Sequence, residues 1–157
     1  MAIGNEIIVS ADPKGVFLEG TISGTPKPGT CMQIKSATEP VGGNYTWEVF
    51  NQAADGTLAL VAVLLPKHIE GGIATAAYVD GDRCYLYCPA PGEILNMLVA
   101  NISGTADSFA IAARMMIDDT TGKLVADSSG ASVPFIIVET SAALTADTLL
   151  ACMYTGH

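Results

Sequence analysis

Apolar residues in this chain come in short runs, separated by Gly, Pro, Asp and Asn. Residues 16–22 (VFLEGTI) mix β-formers with Gly20 and Thr21, and residues 31–34 (CMQI) follow a Pro-Lys-Pro-Gly turn. Residues 45–50 (YTWEVF) alternate in character and are rich in aromatic and β-branched side chains. Residues 58–65 (LALVAVLL) are apolar without a break. That is the pattern of a strand covered on both faces, although periodicity alone does not separate it from a short helix. Runs at 83–88, 93–99, 109–117, 123–126, 135–139 and 149–154 complete the series. Short segments at such intervals, with turn residues between them, predict an all-β fold, a single barrel or barrel-like sandwich. At most one or two short helices are expected, with residues 66–77 holding a helix or an ordered loop and residues 142–148 a turn.

The punctuation between runs has its own regularity. Lys27-Pro28-Gly29-Thr30 precedes Cys31, Asp80-Gly81-Asp82 precedes Arg83, and Pro91-Gly92-Glu93 precedes Ile94. Each places a glycine where a turn requires positive φ and then begins an extended run. Asp118-Asp119-Thr120-Thr121-Gly122-Lys123 reads as a hairpin connection, with Gly122 at the left-handed position. No repeat of fixed period is present, which argues against a solenoid or propeller. Before the first turn signal, at Asp12-Pro13, lie Ile3, Ile7, Ile8 and Val9. Residues 1–13 therefore read as an extended N-terminal arm with those four as contact residues, and residues 14–157 as the β domain. The alternative is that this segment is the first strand of the domain itself.

A length of 157 residues suits one domain, or two very small ones sharing a core. With 50% hydrophobic and 15% charged residues the chain is not disordered. Seven Lys and Arg against 16 Asp and Glu give a net charge of −9. Phosphate neutralisation needs clustered cations, so nucleic acid and anionic membrane are excluded as direct partners. The N-terminus has no basic n-region followed by a long apolar run, so no signal peptide is expected. The longest apolar stretch, 58–66, is far short of a membrane span. Folding in a cytoplasm follows, with the four cysteines as free thiols.

The search for chemistry returns turn and core residues. Cys84 and Cys88 are spaced C-x3-C within a predicted strand, where residues four apart are ~13 Å apart, too far for a shared metal or a disulfide. Cys84, Leu86 and Cys88 share one face and Tyr85 and Tyr87 the other; Cys31 and Cys152 sit in apolar surroundings, and all four read as buried thiols. His157 is terminal, and His68 is the only other histidine, with no Gly-x-Ser-x-Gly or zinc-ligand spacing around it. The carboxylate pairs Asp80/Asp82 and Asp118/Asp119 read as turn chemistry rather than as Ca²⁺ ligands or a glycosidase pair. Tyr45 and Trp47, on one strand face, are the best candidates for a sugar platform, with core packing beside Val49 the favoured alternative. No catalytic residue, metal or cofactor is expected.

Two stretches, Gly20-Thr21-Ile22-Ser23-Gly24-Thr25-Pro26-Lys27-Pro28-Gly29-Thr30-Cys31-Met32-Gln33-Ile34 and Tyr78-Val79-Asp80-Gly81-Asp82-Arg83-Cys84-Tyr85-Leu86-Tyr87, carry a resemblance. With Pro91-Gly92-Glu93, the run from Asp118 to Ala126 and the closing Cys152-Met153-Tyr154, the chain resembles the head decoration (cement) proteins of tailed bacteriophages. The resemblance runs over most of residues 14–157 and is one of style and turn placement. It implies a β-tulip-like barrel on the outer surface of the expanded capsid, non-enzymatic, stabilising the lattice of the major capsid protein. It further implies self-association as a homotrimer or dimer, with a terminal arm adding to a neighbour's sheet edge. Another virion component (tail, fibre or head–tail joining protein) and a sugar-binding adhesion module are the alternatives.

Overall fold

A computed structural model describes residues 7–10, 12–35, 44–51, 61–67, 76–101, 108–127, 134–141 and 143–156. They form ten strands: β1 (Val16–Ile22), β2 (Cys31–Ile34), β3 (Tyr45–Val49), β4 (Ala62–Leu64), β5 (Arg83–Cys88), β6 (Ile94–Val99), β7 (Arg114–Ile117), β8 (Leu124–Ala126), β9 (Phe135–Ile137) and β10 (Thr148–Tyr154). Every apolar run singled out in the sequence contains one of them, and no helix occurs among the described residues. Gly29, Gly81 and Gly92 have φ of 83°, 87° and 90°, and Gly122 in the β7–β8 hairpin has 64°, as the turn chemistry requires.

The all-β fold expected from the sequence is built as two closed barrels. The first runs β1-β3-β2-β4-β5 and the second β6-β8-β7-β9-β10, each closing back on its first strand. The two orders are the same. In each, the first strand pairs in parallel with the third, and every other pairing is antiparallel. The chain is thus a structural duplication that no fixed sequence period reveals.

What joins the barrels is one wall of sheet buried on both faces. On β2, β4 and β5, Met32, Ala62, Leu64, Cys84, Leu86 and Cys88 point into the first barrel, where they pack with Ile22, Trp47 and Tyr78. The alternate residues Cys31, Val63 and Tyr87 point outward and belong to one buried cluster with the interior of the second barrel. That interior comprises Leu95, Met97, Val99, Met115, Ile117, Leu124, Phe135, Ile137, Leu150, Cys152 and Tyr154. Side chains alternate faces along a strand, so a wall between two cores must be apolar at every position. This is why residues 61–65 show no polar alternation. Gly29 sits at the same seam: its φ of 83° and the nearness of an added Cβ to Leu149 Cδ2 (2.7 Å) and the Leu98 nitrogen (2.9 Å) leave room only for glycine. Its carbonyl accepts the Leu98 N–H at 3.0 Å, and Cys31 N–H bonds to the Gly122 carbonyl at 2.8 Å.

Residues 7–10 of the N-terminal segment lie on the chain's own second barrel. Ile8 bridges Leu95, Asn96 N–H donates to the Ile7 carbonyl (2.7 Å), and Val9 N–H donates to Ile94 (3.0 Å). Ile7 is 1% exposed and Ile8 packs against the same cluster. The physical reason is an edge that needs covering: β8 pairs with β6 only at Val99, which leaves the earlier part of β6 without a strand on that side. Ile3 lies outside the described residues. Ile7, Ile8 and Val9 therefore anchor this segment within the chain.

Because the wall belongs to both cores, the barrels should unfold as one unit. Trp47 fluorescence, which reports the first barrel, and amide exchange in β6 and β10 should give one common transition in urea. Leu64→Ala should lower both together by about 2–5 kcal/mol, and two separate transitions would contradict the shared wall.

Candidate functional site

The seam between the barrels carries the most structured polar chemistry of the chain. Glu93, in the turn from β5 to β6, is buried, and its carboxylate accepts hydrogen bonds from the Lys14 N–H, from Ala90 N–H at 2.7 Å and from the Tyr87 hydroxyl at 2.8 Å. Tyr87 in turn accepts the Gly15 N–H at 2.8 Å. Burial acts to raise the Glu93 carboxyl, but these donors outweigh it and hold the group below its ordinary value. Tyr87 is pushed up to about 12, first by burial and then by its bond to Glu93. The node fastens the segment entering β1 to the turn entering β6. It is a structural buckle, with its hydrogen-bonding capacity spent internally.

A cleft of about 380 Å³ opens along the same seam, lined by Thr25, Pro26, Lys27, Thr30, Val49, Leu98, Thr121, Lys123 and Asp147. Lys123 Nζ pairs with Asp147 at 2.6 Å. Burial pushes the Asp147 carboxyl up, and the hydrogen bond and charge of Lys123 more than reverse this. The Thr121 hydroxyl donates to Asp118 at 2.7 Å, so it serves the hairpin and is not poised as a nucleophile. The cleft offers hydroxyls and an ion pair for weak polar contact. Among the described residues no group of three or more His, Cys, Asp or Glu is placed to hold a metal ion.

The sequence-predicted candidates fall into place individually. Cys84, Leu86 and Cys88 share the inner face of β5 and Tyr87 the outer, as the alternation required. All four thiols are free and buried. Desolvation pushes Cys84 up to about 12 and Cys88 up to about 11, and moves Cys31 and Cys152 upward as well. Asp80 accepts Gly24 N–H at 2.7 Å, Asp82 accepts Val79 N–H at 2.8 Å and pairs with Lys67, and Asp118 caps Thr120 and Thr121. These are turn-closing roles. Trp47 is 1% exposed inside the first barrel, against Gly20, so it cannot offer a stacking face; Tyr45, 44% exposed, stands alone at the barrel's surface. His68 and His157 lie outside the described residues.

The surface carries a feature that sequence reasoning missed. Val16 and Phe17, on β1, are 59% and 60% exposed, although the same run reads as an ordinary β-forming segment. No local pattern distinguishes a covered strand edge from an open one.

No protein-family model matches the chain, and no curated protein matches it in sequence. Among solved structures, the chain is similar to the crystal structure of the head fiber gp8.5 N base in bacteriophage phi29. The TM-score is 0.54 at 9% identity, over 90% of this chain and 94% of that one. At that identity the likeness is one of fold, and its coverage takes in both barrels.

Three outcomes follow from this chemistry. Ionised Glu93 contributes stability that is fully present above its ordinary value of about 4.5 and is lost as pH falls through its lower folded value. Urea midpoints should therefore drop on the acid side, and Glu93→Gln should flatten that drop. At pH 7 Tyr87→Phe should cost about 1–3 kcal/mol by leaving the buried carboxylate short of a donor. Separately, Ellman's reagent at pH 8 should find no reactive thiol until denaturant is added; rapid labelling of the native protein would contradict burial of all four cysteines.

Proposed function

We propose that this chain is a structural component of a bacteriophage head, non-enzymatic, which sits on the outer capsid surface as a decoration (cement) protein. The observation that carries the reading is the two-barrel fold, similar over 90% of the chain to the base of a phage head fiber. Three features of the chain support it. The net charge of −9 repels DNA, which suits a position outside the shell. The buried carboxylate and the four thiols are committed to the interior, and the Thr121 hydroxyl of the seam cleft to its hairpin. The exposed apolar residues of β1 fit a protein whose work is contact with other proteins. In this reading the partners are the major capsid protein and other copies of the chain, assembled as a homotrimer.

The physical action is mass action on the lattice. A protein that binds the expanded shell better than the unexpanded or ruptured one stabilises it, and repetition around the shell turns weak contacts into high avidity. A second reading, favoured by the same structural likeness, makes the chain the base of a fibre attached at fewer head sites.

Immunogold labelling of intact particles from the phage that encodes the chain separates the two. Dense label over the whole head is expected for a decoration protein. Sparse label at particular head positions selects the fibre-base reading, and label confined to the tail, or absent from particles, overturns both.

A further inference from the structure

We infer that the cleft at the seam between the barrels is a docking site for an acidic segment of the shell protein. It seats one carboxylate side chain, with the stem against the apolar lining and the charge at Lys27. The inference deepens the head-surface reading and rests on it.

The cleft is built by both barrels. Pro26, Lys27 and Thr30 come from the connection between β1 and β2 of the first, while Leu98 on β6, Lys123 in the β7–β8 hairpin and Asp147 ahead of β10 come from the second. Its volume of about 380 Å³ falls in the range of specific ligand sites, roughly 300–1,000 Å³, and such sites favour interfaces between domains. The floor is held from both sides. The Gly29 carbonyl accepts Leu98 N–H at 3.0 Å and Cys31 N–H donates to the Gly122 carbonyl at 2.8 Å, so Thr30 lies between two backbone bonds that cross the seam. Its own N–H donates to the Lys27 carbonyl (3.3 Å), and its carbonyl accepts Leu64 N–H (3.0 Å). With its backbone committed in this way, Thr30 presents its side chain to the cleft from a residue that is only 2% exposed.

Charge selects the ligand. The chain has seven Lys and Arg against 16 Asp and Glu, yet Lys27 and Lys123 both line this cleft, against one lining carboxylate, Asp147. Lys123 is claimed from two sides. Its Nζ pairs with Asp147 at 2.6 Å, and Asp118, pushed up by burial and pulled down by its bonds to Thr121 and Thr120, also draws on the Lys123 charge. Lys27 stands exposed at the rim between Pro26 and Pro28, whose rings fix the backbone on either side. Its charge reaches the Asp147 carboxyl, which burial raises and which Lys123, the Asn101 N–H and Lys27 lower. Two cations against one lining carboxylate leave one positive charge over, and it is carried by Lys27.

One surplus positive charge matches one carboxylate, whereas a nucleic acid needs a row of cations. Val49 and Leu98 give the lining an apolar part, on which the methylene stem of a Glu side chain can lie. A second copy of the chain carries its own net charge of −9, and the repulsion between the two whole molecules works against self-docking at this site. An acidic segment on a different protein meets the conditions, and in the head-surface reading that protein is the shell. A single rim charge pair of this kind is weak and acts mainly on encounter and salt dependence. Repeated around a shell, it adds through avidity.

The test uses the full-length protein, phage heads purified without it, and two probes, a capped Ala-Glu-Ala tripeptide and its Gln counterpart. Lys27→Gln removes the rim charge and Lys27→Glu reverses it. Lys14→Gln is the control, at an exposed lysine whose bond to Glu93 is made by the backbone N–H. Thermal midpoints confirm that each variant folds. Lys27→Glu should bind heads at least tenfold more weakly, Lys27→Gln at least threefold, and Lys14→Gln within twofold of wild type, with the losses shrinking as salt is raised. The Glu peptide should shift the amide resonances of Lys27, Thr30 and Leu98 in wild type but not in Lys27→Glu, and the Gln peptide should shift none. Wild-type head binding by Lys27→Glu, an equal loss in Lys14→Gln, or no difference between the two peptides would overturn the inference. So would shifts from inorganic phosphate with none from the Glu peptide, which would assign the cleft to a free anion. A wild-type oligomer that Lys27→Glu dissociates would also overturn it, by assigning the cleft to a second copy. Failure of wild type to bind heads at all would instead remove the head-surface reading, and the shell-protein occupant with it.

Discussion

The wall formed by β2, β4 and β5 is buried on both faces over residues 31–33, 62–64 and 86–88. Its inner residues, Met32, Ala62, Leu64 and Leu86, complete the core of the first barrel, and its outer residues, Cys31, Val63 and Tyr87, close the core of the second. Sharing a wall gives each a larger interior. It also places polar groups at the seam under strict terms: Glu93 and Tyr87 are buried there only because backbone and side-chain donors satisfy them.

The duplication gives the surface a meaning that composition does not. The two barrels share one strand order, and residues 7–10 lie beside β6 of the second. Val16, Phe17 and Glu19 of β1 are exposed, whereas β6 is buried from Leu95 onward. Among the described residues the Glu93 carboxylate is satisfied at the seam, while Trp47 Nε1 and Asn101 Oδ1 are buried without a hydrogen-bond partner.

Sequence by itself determined the strands. Period-two alternation, turn glycines at positive φ and the unbroken 61–65 run are local consequences of backbone sterics and burial, so they are legible one segment at a time. The inward cysteines of β5, the Asp118 hairpin and the preference for packing Trp47 inside follow from the same alternation. Tertiary structure alone decided closure: which strands pair, that ten of them make two barrels and not one, and that Ile7 belongs to the chain's own core. It also decided that Val16 and Phe17 remain on the surface while the comparable residues of β6 do not. The reason is that strand pairing is non-local. An edge is covered or open according to what arrives from a distant part of the chain, and the residues along it read the same in either case.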